Sequence, residues 1–111
     1  MLPSESFEVL LFRDLRGRSP FQDWFEALDV PAARKVTTAL IGFECGNFSD
    51  SRNLGGGLWE RRIHAGPGLR IYYGRGMQPL IILLAGGTKR TQAMDIKKAR
   101  VMWYEYKTRT S

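Results

Sequence analysis

The chain has 111 residues, 43% hydrophobic and 25% charged, with a net charge of +6. That excludes a disordered or fibrous polymer and suits a single domain, residues 1–111, large enough to bury a core without staples. One cysteine, Cys45, excludes an internal disulfide and gives no sign of an oxidising compartment.

The N-terminal Met1-Leu2-Pro3-Ser4-Glu5 lacks the basic region of a signal peptide. The longest apolar run, Leu80 to Ala85, is too short to span a bilayer. The expected location is cytoplasmic, with no membrane partner. Phe7 to Phe12 reads as a first strand, and Arg13 to Arg18 as a turn. Ser19-Pro20 is a helix start, with serine as cap and proline at the first helical position. Phe21, Trp24, Phe25 and Leu28 follow at one-face spacing until Val30-Pro31 interrupts them. A second helix is predicted over Pro31 to Cys45, with Ala33, Val36, Leu40 and Phe43 as its stripe. Asn47 to Gly57 is polar and glycine-rich, and reads as a loop.

Three strands are predicted next: Leu58 to His64, Leu69 to Gly74, and Pro79 to Ala85, ended by Gly86-Gly87. Their short links imply antiparallel neighbours. The unbroken apolar run Leu80 to Leu84 suits a strand buried on both faces. A last helix is expected from Thr91 to Lys107, with Ile96, Ala99, Trp103 and Tyr106 on one face. The expected fold is α+β, β-α-α-β-β-β-α, an antiparallel sheet packed on helices.

Charge is concentrated. Between Leu58 and Arg100 stand nine basic residues against Glu60 and Asp95, a balance of +7 that leaves −1 for the rest of the chain. Such clustering points to a polyanionic partner, although a solvated face of a basic protein has the same composition. Strand alternation puts Glu60, Arg62 and His64 on one face, with Arg70 and Tyr72 beside them. The other face carries Trp59, Ile63, Ile71 and Tyr73, with Arg61 as the exception. This is the pattern of a sheet with one packed face and one solvated polar face.

Three ordered blocks carry a resemblance: Gly57-Leu58-Trp59-Glu60-Arg61-Arg62-Ile63; Gly66-Pro67-Gly68-Leu69-Arg70-Ile71-Tyr72-Tyr73; and Leu83-Leu84-Ala85-Gly86-Gly87-Thr88-Lys89-Arg90-Thr91-Gln92 continuing into Asp95-Ile96-Lys97-Lys98-Ala99. Together they resemble the HigB-like, phage-derived addiction-module killer proteins of the RelE/ParE superfamily. The family usually has leucine at the place of Arg61 and an aromatic at the place of Leu69. The resemblance implies the RelE/ParE-like fold and a type II toxin that cuts messenger RNA on the ribosome without a metal or cofactor. It also implies a helix-turn-helix, HigA-like antitoxin as partner.

Cleaving RNA requires activating the 2′-hydroxyl, stabilising the charge that builds on phosphorus and protonating the 5′-oxygen. Arg62, Arg70, Lys89, Glu60 and Tyr72 are the candidates for that chemistry, and Arg61, His64, Arg90, Gln92 and Lys97 for RNA binding. Arg70 offers a bidentate fork to a phosphate. It is equally placed for a cross-strand ion pair with Glu60. Lys89 would need its pKa lowered by neighbouring cations, Glu60 is either a base or an orienter of Arg70, and Tyr72 is either a stacker or a proton donor. Arg62, Arg70 and Lys89 are expected to line one positive groove. His64 is the only histidine, so a two-histidine mechanism is excluded. Gln92 reads equally as a helix cap, and the three tryptophans and Cys45 as structural. ParE-like chains share the topology, so a non-catalytic inhibitor of DNA gyrase is the competing function. A plain nucleic-acid-binding module lacks an evident stacking platform.

Overall fold

A computed structural model of the chain describes residues 6–110. The expectation about Met1 to Glu5 falls outside them. The elements are β1 (Glu8–Leu11), α1 (Pro20–Glu26), α2 (Val30–Glu44), β2 (Ser51–Gly55), β3 (Leu58–Ile63), β4 (Leu69–Arg75), β5 (Leu80–Thr88), a 3₁₀ turn (Lys89–Thr91) and α3 (Gln92–Thr110).

Local chemistry accounts for the helix starts. The Ser19 hydroxyl accepts from the Gln22 N–H at 3.1 Å, with Pro20 entering α1 where no N–H is needed. The Asp29 carboxylate accepts from the Ala32 N–H at 2.9 Å, and Pro31 sits in the first turn of α2. The break expected at Val30-Pro31 falls just before it, at residues 27–29, and Val30 and Pro31 open α2.

Four features depart from the sequence expectation. Ser51–Gly55 is a strand rather than part of a loop. It contains one apolar residue, Leu54, so it has no hydrophobic alternation to announce it. Its support is tertiary: it pairs antiparallel with β3, and α3 side chains hold its end. Arg100 donates to the Leu54 and Gly55 carbonyls at 3.0 and 3.4 Å. Trp103 Nε1 and Lys107 Nζ both donate to the Gly56 carbonyl, at 2.7 and 3.1 Å. The connection Gly55-Gly56-Gly57 takes φ values of 93°, 66° and 88°, a left-handed run that side chains disfavour.

The second departure concerns sheet topology. The strand order is β1-β5-β4-β3-β2, and β1 pairs with β5 in parallel, Glu8 opposite Leu80 and Leu11 opposite Leu83. The sheet is therefore mixed. Short links made β3, β4 and β5 antiparallel neighbours, as expected. The long excursion through α1, α2 and three strands lets the chain re-enter beside β1 in the same direction.

Helices cover both faces, which corrects the expectation of one solvated face. On one side α1 and α2 pack Phe21, Val36 and Phe43 against Ile71, Tyr73, Ile81 and Leu83 of the sheet. On the other, α3 lays Ala99 and Trp103 against Leu58, Tyr72, Ile82 and Leu84. β5 is interior and Ile81 to Ala85 are all buried, as the unbroken apolar run implied.

Gly86-Gly87 does not end β5, which runs on to Thr88. The glycines answer to close packing on both sides. A Cβ at Gly86 would lie 2.1 Å from the Trp24 ring, and one at Gly87 would lie 1.9 Å from Asp95 Oδ2.

Candidate functional site

The α3-facing side of the sheet changes character along its length. Towards Leu58 it is apolar; towards the β3–β4 hairpin it becomes ionic. The register sets Glu60 opposite Tyr72, and Arg62 opposite Arg70, whose other neighbour is Gly87 of β5. The period of two thus brings Glu60, Arg62, Arg70 and Tyr72 onto one face, as the sequence required.

Glu60 is the centre of the cluster and is 1% exposed. A buried carboxylate must be satisfied by donors and cations. Gln92, the first residue of α3, donates through Nε2 to Oε2 at 2.8 Å. Arg52 of β2 brings a guanidinium nitrogen to 3.2 Å of Oε1. Arg70 Nε stands 3.7 Å from Oε2, an ion pair too long to be a hydrogen bond.

Arg70 is itself buried, 8% exposed, although a strand arginine on this face was expected to be solvated. α3 is what covers it. Its Nε has no hydrogen-bond partner. No side chain or carbonyl among the described residues accepts a hydrogen bond from its terminal nitrogens. Nη1 is directed back along β4: a Cβ at Gly68 would lie 3.6 Å from it. A largely desolvated guanidinium thus keeps its fork free, towards the hairpin where Arg62 and His64 are exposed.

Tyr72 is fully buried beneath these charges, and its hydroxyl has no well-formed hydrogen bond. Burial, and then the Glu60 carboxylate, push its phenol well above the ordinary tyrosine value, so the group stays protonated at neutral pH.

Asp95 presses on the β5 backbone at Gly87 and is hydrogen-bonded by the Thr91 hydroxyl. Asp95 thus stands over Gly87, the cross-strand neighbour of Arg70, while Glu60 is the carboxylate that Arg70 pairs with. Lys89 and Arg90 are exposed on the 3₁₀ turn just beyond Gly87, at the same end of the sheet as Arg62 and Arg70.

Other sequence candidates lie elsewhere. Arg61 is on the α1/α2 face, paired with Asp50 at 3.6 Å and donating to the Arg62 carbonyl at 2.6 Å. His64 is exposed at the hairpin, its carbonyl accepting from Lys35 Nζ at 3.2 Å. Lys97 is exposed on the outer face of α3. Not all of the clustered charge is available either. Arg75 lies 3.9 Å over the Phe48 ring, and Arg100 is tied to β2. Cys45 is exposed at the end of α2.

Sequence reasoning missed Arg52, Thr91 and Asp95. Arg52 was hidden by reading β2 as loop. The Gly-Gly before Lys89, read as a stop, was the available signal that something approaches the strand closely.

No known family's sequence profile matches this chain. An uncharacterized protein of Haemophilus influenzae is 36% identical to it over 86 residues, which cover 77% of this chain and 87% of that one. The chain belongs to the same family as that protein. No helix among the described residues is long and apolar enough to cross a membrane.

Proposed function

We propose that this protein is an RNA endonuclease that inhibits translation, a type II toxin acting on messenger RNA at the ribosome. The observation that carries the reading is Arg70: a guanidinium 8% exposed, anchored at one end by Glu60, with its fork unpaired. A mostly buried cation whose terminal donors meet solvent and no protein acceptor is not accounted for by packing alone. It suits a group that receives an anion, because the low local dielectric strengthens the contact and the geometry needs no reorganisation. Phosphate matches the fork, since two of its oxygens accept in parallel.

In this reading the 2′-oxygen of the substrate attacks the adjacent phosphorus and the 5′-oxygen leaves. The products are a 2′,3′-cyclic phosphate and a 5′-hydroxyl; no water is consumed. The proton released by the 2′-hydroxyl is balanced by one taken up at the 5′-oxygen. Arg70 and Arg62 stabilise the charge on the phosphorane, and Lys89 and Arg90 extend the positive surface along the strand. Glu60, inaccessible to a substrate, holds Arg70 in place, while Tyr72, also buried, keeps the floor neutral. The likeness to the HigB-like proteins supplies the remaining terms, ribosome-bound messenger RNA as substrate and a helix-turn-helix antitoxin as partner.

The test is expression under tight control with RNA ends mapped, for wild type, Arg70→Ala and Arg70→Lys. Wild type should cut transcripts and leave 2′,3′-cyclic phosphate ends. Arg70→Ala should cleave about 100- to 1,000-fold more slowly, the usual effect of removing one donor to a developing anion. Lysine should restore part of this, keeping charge but not the fork. Growth arrest with transcripts intact and gyrase inhibited would replace this reading with the gyrase-inhibitor one.

A further inference from the structure

Arg52 is a cation that no local pattern in the chain singles out. It lies on β2, opposite Glu60 in register, with a guanidinium nitrogen 3.2 Å from Glu60 Oε1. Its side chain is 59% exposed, whereas that of Glu60 is 1% exposed. The pair therefore joins a buried acid to a solvent-exposed guanidinium. Glu60 Oε2 faces Arg70 from the other side. One carboxylate thus sits between two guanidiniums, one buried and oriented, the other at the rim.

We propose that Arg52 is a second phosphate-binding residue, taking the backbone phosphate next to the one held by Arg70, so that the site engages a nucleic-acid strand rather than a single phosphate group. This rests on the reading of Arg70 as the phosphate ligand. Three observations support it. The charge balance favours an added anion, since Arg52, Arg62 and Arg70 outnumber Glu60 and Asp95 on this face. Gln92 and Arg70 hold Glu60 at Oε2, and Arg52 holds it at Oε1 through one guanidinium nitrogen, leaving the other Arg52 nitrogens towards solvent. Arg52 can therefore take a phosphate through those nitrogens while it stays on Glu60, which strands no buried charge. The shared carboxylate also keeps the two guanidiniums close together, as adjacent phosphates of one strand require.

The experiment is fluorescence anisotropy with a labelled, non-cleavable 2′-O-methyl hexanucleotide across a salt series. The proteins are wild type, Arg52→Ala, Arg52→Lys, and Arg34→Ala as a control on exposed α2. Arg52→Ala should bind more weakly, with a salt dependence shallower by about one phosphate contact. The ratio of wild-type to variant affinity should then shrink about threefold between 50 and 200 mM salt. Arg52→Lys should recover the slope, and Arg34→Ala should match wild type. A dinucleoside monophosphate, with one phosphate, should compete equally against wild type and Arg52→Ala. Thermal melting of each variant separates binding from folding: a purely structural Arg52 would lower the melting temperature and leave the slope unchanged. Binding by Arg52→Ala with wild-type affinity and slope overturns the assignment of Arg52 alone. Wild type that binds no oligonucleotide at low salt overturns the Arg70 reading and this proposal with it.

Discussion

The two faces of the sheet are packed by different means. Under α1 and α2 the core contacts are mainly apolar, with Phe43 wedged against Tyr73 and Phe48 at ring separations of 4.6 and 5.5 Å, and the Arg61–Asp50 pair an exception on that side. Under α3 the apolar contacts of Trp103 and Ala99 give way, within one helix length, to the Glu60 cluster. A dry core is indifferent to pH and salt over the ordinary range. An ionic one is held by a few mutually dependent groups, and losing one leaves the others uncompensated. The first face carries stability; the second gives up some of it to keep charge in a defined place.

The largest effect that would test this contrast is Phe43→Ala. Phe43 is fully buried, so the substitution should destabilise by about 3–5 kcal/mol, with no dependence on pH between 5 and 9. Chemical denaturation at several pH values measures both. On the other face Glu60→Ala should cost a similar roughly 3–5 kcal/mol, because Arg70 loses its buried counter-charge. The contrast sharpens in the double variant. Glu60→Leu with Arg70→Met should be more stable than either single change, since an apolar pair replaces an ionic one. Additive losses would show that the two residues do not act as a pair.

Smaller effects should come from the glycines. Gly86→Ala drives a methyl into Trp24, and Gly87→Ala drives one into Asp95. Each should cost about 1–3 kcal/mol by overpacking. Only Gly87→Ala, on the ionic face, should also alter oligonucleotide binding; equal binding by both would break the distinction.

The smallest effect concerns Tyr72. Its phenol titrates higher in the fold than in the unfolded chain, so the fold favours the protonated form. The resulting stability is complete below the unfolded value near 10 and is lost as pH rises from there towards the folded value. Tyr72→Phe should shift stability at pH 7 by less than about 1 kcal/mol, since the hydroxyl it removes is unpaired, and should reduce the alkaline loss. Tyr73, also buried and raised, keeps part of that loss.

Much of this was legible in the chain because the signals are local. Ser19-Pro20 states its own cap, and a period of two puts Glu60 with Arg62, and Arg70 with Tyr72, whatever the rest of the fold does. What escaped is set by distant parts of the chain. Ser51–Gly55 has no strand-like composition and exists because β3 and α3 hold it. Parallel pairing of β1 with β5 leaves no mark in either strand. Gly86-Gly87 carried an ambiguous signal, because glycine serves both turns and close approaches, and here Trp24 and Asp95 decide. The burial of Arg70 follows from where α3 lands, which no local pattern in β4 records.

The parallel β1–β5 pair has a bearing on the order of assembly. Glu8 cannot meet Leu80 until 80 of the 111 residues exist, and Gln92, a ligand of Glu60, comes later still. Closing so long a loop adds little to the equilibrium cost, which grows only logarithmically with length, but such distant pairings slow folding. During synthesis the α1–α2 hairpin and the β2–β4 meander can form first, with Glu60 and Arg70 already opposed but uncovered. The last helix then closes the charged cluster, so a chain cut short before Gln92 would contain all five strands and no finished site.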